Sequence, residues 1–397
     1  MSALTAAQAM ASGIHRVLPD AECVLVPMAD GGEGTAVTIA DALGGEMVEV
    51  PCHDALGRPI TGTFGWVPTQ RLAIIETASA SGLERIAPDD RDIAVASSYG
   101  TGELIKAALD QGAERLILGL GGSATNDAGA GLFSALGVKF LDAHGAELPP
   151  GGLALQRLAR IDASGLDKRF ASCSMSDGMQ AACDVNNPLL GPGGASAVFG
   201  PQKGATPDLV AALDSALANW AEMVRRDLHR DILGLPGGGA AGGIGAALAA
   251  FTARGKNLPD VGWSPPPAEE YSGGSRVLRP GVEIVIDAVG LRDAVRDADW
   301  VFTGEGGLDN QTRHGKTPWG VATVAAEFGK PVIAFAGKIG DDAALLLEGP
   351  IRFQAIVPIV RSITDLPTAL AHGSQNLADA AEVVCRILFA GQAVSHL

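Results

Sequence analysis

At the start of the chain, apolar residues recur at helical spacing. Leu4, Ala7, Met10, Ala11, Ile14 and Leu18 fall on one face, and Ser2 stands where an N-cap belongs. The period then changes. "ECVLVP" (22–27) is a short apolar run of the kind a buried strand makes, and "MADGGEGT" leads into a helix through Leu43. Between Met47 and Glu76 the pieces "EMVEV", "ITGTFGW" and "RLAIIET", broken by "DALGRP", predict an antiparallel section. "YGTGELIKAALDQG" predicts a helix with Thr101 as cap and Gly112 as stop. "RLILGL" predicts a strand that runs into "GGSATNDAGAG", followed by another helix and the strand "VKFLD".

Further along, "AACDV" reads as a strand ending in an acid, and residues 205–231 as a long amphipathic helix with Pro207 in its first turn. Residues 254–281 lack periodicity and are rich in Pro and Gly, which reads as a surface loop or mobile insertion. Alternation of strand and helix then resumes through "DWVFTGEGGLDNQT", "KPVIAFAGKIGDD" and "RFQAIVPI" to a last helix ending near Leu388. No fixed-period repeat is present. Strands alternating with helices imply parallel α/β sheets, whose ligands bind outside the carboxyl ends of the strands.

Composition narrows the function classes. With 47% apolar residues in 397, the chain can bury a large core and fill two or three domains. A formal charge of −16 repels polyanions, so nucleic acid and anionic membranes are excluded as partners, while a small anionic ligand is not. Five cysteines lie far apart without metal-ligand spacing, as reduced thiols do. No apolar run of about 18 residues appears and no signal pattern opens the chain, so a cytoplasmic location is expected. Glycine is the outlier, 53 residues against an average of about 7%, and it clusters where apolar runs end.

Several of those ends share one grammar, an apolar run followed by Gly and acids: Asp30 to Gly34, Gly119 to Asp127, Asp184 with Asn186 and Asn187, and Gly304 to Gly306 with Asp309. Glycine lets backbone approach a ligand and leaves amides free for oxyanions. Carboxylates at the same place would repel phosphate unless a hard divalent cation sits between them. A cap-and-turn role is the competing explanation for each acid taken singly. "GLGGSA" (Gly119, Gly121, Ala124) also fits a dinucleotide fingerprint, with Asp142 as the ribose-binding acid, although Asn126 and Asp127 interrupt the turn before the helix. A Walker A sequence is absent. Lys203, Lys316 and Lys338 each stand beside Gly and are candidates for a phosphate or carboxylate; Arg58 in "LGRP" is a candidate for a substrate carboxylate. His53 and His314 read as structural.

These segments resemble the class I glycerate kinases, bacterial enzymes that phosphorylate D-glycerate with ATP. The resemblance rests on "VPMADGGEGT" (26–35), "SYGTGELI" (98–105), "GLGGSATNDAGAG" (119–131), "CDVNNPLLGPGGASAVFGPQKGATP" (183–207), "GAAGGIGA" (239–246), and "TGEGGLDNQT" with "GKTPWGVA" (303–322). It spans nearly the whole chain. It implies an α/β fold of two domains: a Rossmann- or flavodoxin-like domain with a parallel sheet from 1–46 plus 282–397, and an inserted mixed α/β domain at 47–281. Three departures stand out. The family's first strand and Lys-containing turn would precede Ser2, so an upstream start or a truncated homologue is expected. Gly307 replaces an Arg, and 254–281 is longer than usual.

The activity implied is transfer of the ATP γ-phosphoryl group to D-glycerate, giving 2-phosphoglycerate, with 3-phosphoglycerate as the close variant. The alternatives are an NAD-dependent oxidoreductase and an inactive homologue. Under the kinase reading, amides of Gly121, Gly122 and Ser123, with Thr125 and Asn126, hold phosphate oxygens. Asp127, Glu305 and Asp309 arrange Mg²⁺. Asp184 accepts the hydroxyl proton, Asn186 and Asn187 orient substrate, and Lys203 or Lys316 neutralises the transferred group or the carboxylate. ATP and D-glycerate are the expected partners, and a homodimer is compatible with the reading.

Overall fold

The computed structural model describes residues 1–175, 178–252, 277–313 and 315–390. Contacts divide the chain into two compact units. One holds Met1–Asp30, Asp41–Leu43 and the chain from Val282 on; the other holds Gly31–Ala40 and Gly44–Gly281. Residues 31–40 thus cluster with the middle of the chain rather than with its ends.

The middle unit is built on a six-stranded mixed sheet. β1 (Glu46–His53) and β2 (Pro59–Val67) form an antiparallel pair, and β2 is antiparallel to β3 (Leu72–Glu76), as the 47–76 pattern predicts. β4 (Arg115–Gly119) lies parallel to β3. β5 (Lys139–Leu141) and β6 (Arg160–Asp162) leave this sheet and form a separate antiparallel pair. β7 (Met179–Ala182) returns beside β4, and β8 (Leu278–Arg279) completes the order β1-β2-β3-β4-β7-β8. The carboxyl ends of β3, β4 and β7 therefore lie side by side. Of the Pro/Gly-rich stretch at 254–281, residues 254–276 lie outside the described residues.

The helices of this unit follow their sequence signals, with one exception. Thr206 accepts the Leu209 amide as N-cap of helix Pro207–Asp227, whose Leu213, Leu217, Trp220 and Val224 are buried at helical spacing. Helix Tyr99–Asp110 ends before Gly112 (φ +100°), as expected, but Thr101 is not its cap. Thr101 sits within the first turn, fully buried, and its hydroxyl donates to Ser81 Oγ.

The chain-end unit carries a parallel three-stranded sheet, β9 (Val301–Leu308), β10 (Val332–Ile339) and β11 (Ala355–Pro358), in the order β11-β10-β9. In β10 the period of two is directly visible. Val332, Ala334 and Ala336 enter a core with Val321 and Val324 of helix Thr317–Glu327, while Ile333 and Phe335 enter a core with Leu377, Ala381 and Val384 of helix Gly373–Leu388. A parallel sheet covered on both faces reads as a continuous apolar run for this reason. Helix Ala3–His15, capped by Ser2, lies against helix Gly373–Leu388. The two helices come close at Gly13, where a Cβ would come within 2.0 Å of the Ala378 carbonyl oxygen. The small residues Ala9 and Gly13 are more enclosed than the larger Leu4 and Ile14.

Two strand expectations fail here. Residues 22–27 form no strand: Val26 and Met28 touch the core, but the segment carries no ladder hydrogen bonds. Conversely, β9 does not stop at Gly304; it continues through Glu305 to Leu308.

Candidate active site

A cleft of ≈ 730 Å³ opens at the carboxyl ends of β3, β4 and β7. Glu76 ends β3, Gly121 to Ser123 follow β4, and Asp184 follows β7; Gly31 to Glu33, Glu84, Arg85 and Lys203 are also in the lining. All of these residues belong to the middle unit. Gly122 has φ +71°, a left-handed conformation that suits glycine. The amides of Gly121 and Gly122 donate to no protein acceptor among the described residues. They are ready donors for an oxyanion.

The rest of that loop is held from beneath. Asp127 is fully buried, and its carboxylate accepts from the Ser98 amide (2.8 Å) and hydroxyl (2.9 Å) and from the amides of Gly129 and Gly131 (both 3.1 Å). Burial pushes its pKa above the ordinary carboxylate value, and those four donors pull the other way. With no exposed oxygen and its lone pairs taken up by protein donors, Asp127 is a brace and not a metal ligand. The cap-and-turn explanation is the correct one for it. Thr125 and Asn126 are also fully buried and absent from the cleft wall. Asn126 donates to Ser196 Oγ (3.0 Å); its Oδ1 and the Thr125 hydroxyl have no hydrogen-bond partner among the described residues. As placed, neither reaches a phosphate in the cleft.

Lys203 ties the loop to the cleft floor. Its ammonium donates to Ser123 Oγ (3.0 Å) and to the Thr125 carbonyl (2.8 Å) while only 3% of the residue is exposed. Desolvation lowers its pKa to about 8, against the raising effect of the nearby Asp127 charge.

Asp184 is exposed in the cleft, and its Oδ1 accepts the Gly281 amide at 2.8 Å, which fixes the carboxylate at the end of β7. Asn187 instead braces its own loop by donating to the Gly193 carbonyl, and Asn186 is exposed outside the cleft lining. Arg58 also lies outside the lining. It pairs with Asp54 (2.6 Å), a buried carboxylate that itself caps the Leu56 and Arg58 amides. Arg58 is a strut rather than an anion site.

Glu76, Glu84 and Arg85 are charged cleft residues that carry no site signal in the sequence analysis. Glu76 accepts the Ala36 amide (2.8 Å) at the start of helix Thr35–Ala42, and burial raises its pKa despite the amides facing it. It ends an apolar run in "RLAIIET", but without an adjacent glycine. Arg85 carries no local signal; only the antiparallel bridge Gly82–Ser123 brings its segment to the loop.

In the chain-end unit, Lys316 Nζ meets Glu305 Oε1 at 3.1 Å. Burial raises the Glu305 pKa, Lys316 opposes this, and the charges of Asp30 and Asp309 add to it. Glu305 Oε2 is buried without a hydrogen-bond partner among the described residues. Asp309 accepts the Gln311 amide (3.0 Å). Among the described residues, no group of three or more acidic, His or Cys side chains could hold a metal by itself. His53 pairs with Glu103, and His314 lies outside the described residues.

The model of the glycerate kinase family matches residues 1–258 and 274–389. The chain belongs to the glycerate kinase family. Glycerate kinase of Haemophilus influenzae is 44% identical over 388 residues, covering 98% of this chain and 95% of that protein. Glycerate 2-kinase of Escherichia coli K12 is 41% identical over 391 residues, with coverage of 98% and 95%. A crystal structure of a Salmonella typhimurium LT2 protein assigned as glycerate kinase 2 superposes with a TM-score of 0.85 at 45% identity, covering 99% of this chain and 96% of that one.

Family membership and geometry together dispose of the dinucleotide reading. Asp142 directly follows β5 of the separate β5–β6 pair, where it accepts the His144 and Ala146 amides, and does not end a strand beside β4. A ribose-binding acid belongs at the end of the neighbouring parallel strand. No helix among the described residues is long and apolar enough to cross a membrane.

Proposed function

We propose that this glycerate kinase family member transfers the ATP γ-phosphoryl group to the 2-hydroxyl of D-glycerate, forming 2-phosphoglycerate and ADP. One observation carries the mechanism: a fixed, exposed carboxylate, Asp184, shares a cleft with two unused backbone amides and a buried lysine. Phosphoryl transfer asks a protein for alignment and charge neutralisation more than for covalent chemistry. Asp184 takes the proton as the substrate oxygen bonds to phosphorus and the bridging oxygen leaves with ADP. The Gly121 and Gly122 amides hold oxyanion charge, and Lys203 holds the loop that presents them.

Mg²⁺ is assigned to Glu305, a single carboxylate that feels the charges of Asp30 and Asp309. The orphaned buried Oε2 of Glu305 suits a hard cation, and Mg²⁺ is commonly held by one or two carboxylates plus phosphate oxygens and water. A cation held there would supply charge neutralisation. Lys316, paired with Glu305, adds positive charge at the same place. A cytoplasmic location suits the five free thiols.

Asp184→Asn tests the assignment. It is expected to lower kcat by roughly 10²-fold or more while ATP affinity stays nearly intact. A near-normal kcat removes Asp184 from the proton transfer.

A further inference from the structure

The cleft is lined by four carboxylates (Glu33, Glu76, Glu84 and Asp184) and two cations (Arg85 and Lys203). An anionic substrate entering among those acids needs a cation to meet it. Lys203 is committed, since its ammonium is turned into the loop onto Ser123 Oγ and the Thr125 carbonyl. Arg85 is not committed in this way. It is exposed, it lines the cleft, and its guanidinium forms no ion pair among the described residues.

Its backbone is nevertheless fixed. The Leu83 amide donates to the Gly122 carbonyl at 2.8 Å, so the turn Leu83–Arg85 is pinned to the oxyanion loop. On the other side, Arg58 Nη2 donates to the Arg85 carbonyl at 3.4 Å, and Arg58 is itself locked to buried Asp54. Two neighbouring arginines thus have separate duties. One is a strut; the other is held in place with its fork unused. A guanidinium fork matches the two oxygens of a carboxylate, and the Gly121 and Gly122 amides already offer a place for phosphoryl oxygens.

We propose that Arg85 receives the carboxylate of the hydroxy-acid substrate and makes the cleft selective for the acid over its neutral analogue. The assignment rests on the kinase reading above. In steady-state kinetics with D-glycerate and ATP, Arg85→Gln is expected to raise KM for D-glycerate roughly 10- to 100-fold, the scale of a lost charge-assisted hydrogen-bond pair. KM for ATP and the melting temperature should stay close to wild type. The preference for D-glycerate over D-glyceramide should collapse by the same factor, and Arg85→Lys should restore part of it. An unchanged KM for D-glycerate, or a rise in KM for ATP instead, overturns the proposal.

Calorimetric titration of D-glycerate into both proteins separates this proposal from the kinase reading. Binding lost in Arg85→Gln, with no turnover in the wild type, sinks the kinase reading and leaves Arg85 in place. Binding unaffected by Arg85→Gln overturns the Arg85 assignment whatever the turnover. A wild type that neither binds nor turns over D-glycerate overturns both.

Discussion

Replacing Lys203 by Met separates what the buried ammonium does for the fold from what it does for the site. Lowering its pKa from 10.5 to about 8 means that burial penalises the charged form by about 3 kcal/mol at neutral pH. Met keeps most of the volume and removes that penalty. Against this, the Thr125 carbonyl loses its partner at an expense of about 1–3 kcal/mol, while Ser123, at the cleft wall, can turn to water. The two effects nearly cancel, so Lys203→Met should change stability at pH 7 by no more than about 2 kcal/mol.

The pH dependence has a definite sign. Between about pH 8 and 10.5 the unfolded chain holds the lysine proton that the folded chain has lost, so this group adds stability as pH rises through that window. Urea unfolding at pH 7 and pH 9.5 should show wild type gaining roughly 2 kcal/mol on the Met variant. Activity should run the other way. Wild-type kcat should decline as pH passes about 8, and the Met variant should be roughly 10²-fold slower at pH 7 because its oxyanion loop is no longer tied. A variant destabilised by the same several kcal/mol at both pH values, with near-wild-type turnover, would refute the reasoning.

The remaining acids of the site should separate by readout. Asp127→Asn puts an amide donor against the Ser98, Gly129 and Gly131 donors, and should lower stability by about 2–3 kcal/mol without shifting the Mg²⁺ dependence of the rate. A raised Mg²⁺ requirement in that variant would return Asp127 to the metal. Glu305→Gln, by contrast, should raise the Mg²⁺ concentration for half-maximal rate about tenfold and weaken calorimetric binding of Mg²⁺–ADP. Unchanged values in both measurements would leave Glu305 as a partner of Lys316 and nothing more.

What the sequence discloses and what it hides divide along one physical line. Local periodicity carries the elements. The alternate faces of Val332 to Ala336, the capped helix Pro207–Asp227 and the Gly-rich end of β4 all depend on neighbours in sequence. The cleft residues Gly121, Gly122, Ser123 and Asp184 were legible because glycine and acid at a strand end are themselves local signals. Long-range pairing decides the rest. Asp127 is a brace because Ser98, 29 residues earlier, fills its lone pairs. Arg85 enters the cleft because Gly82 bridges to Ser123, 41 residues later. "ECVLVP" has the apolar content of a strand, but content alone does not supply a ladder partner.

The central claim is a defined chemical conversion. The purified chain, incubated with D-glycerate, ATP and Mg²⁺, can be followed by ³¹P NMR, which distinguishes phosphate on the 2- and 3-hydroxyl carbons. ATP-dependent appearance of 2-phosphoglycerate with stoichiometric ADP is the predicted result. Formation of 3-phosphoglycerate would contradict the regiochemistry, and ADP formation or silence without any phosphorylated glycerate would contradict the function itself.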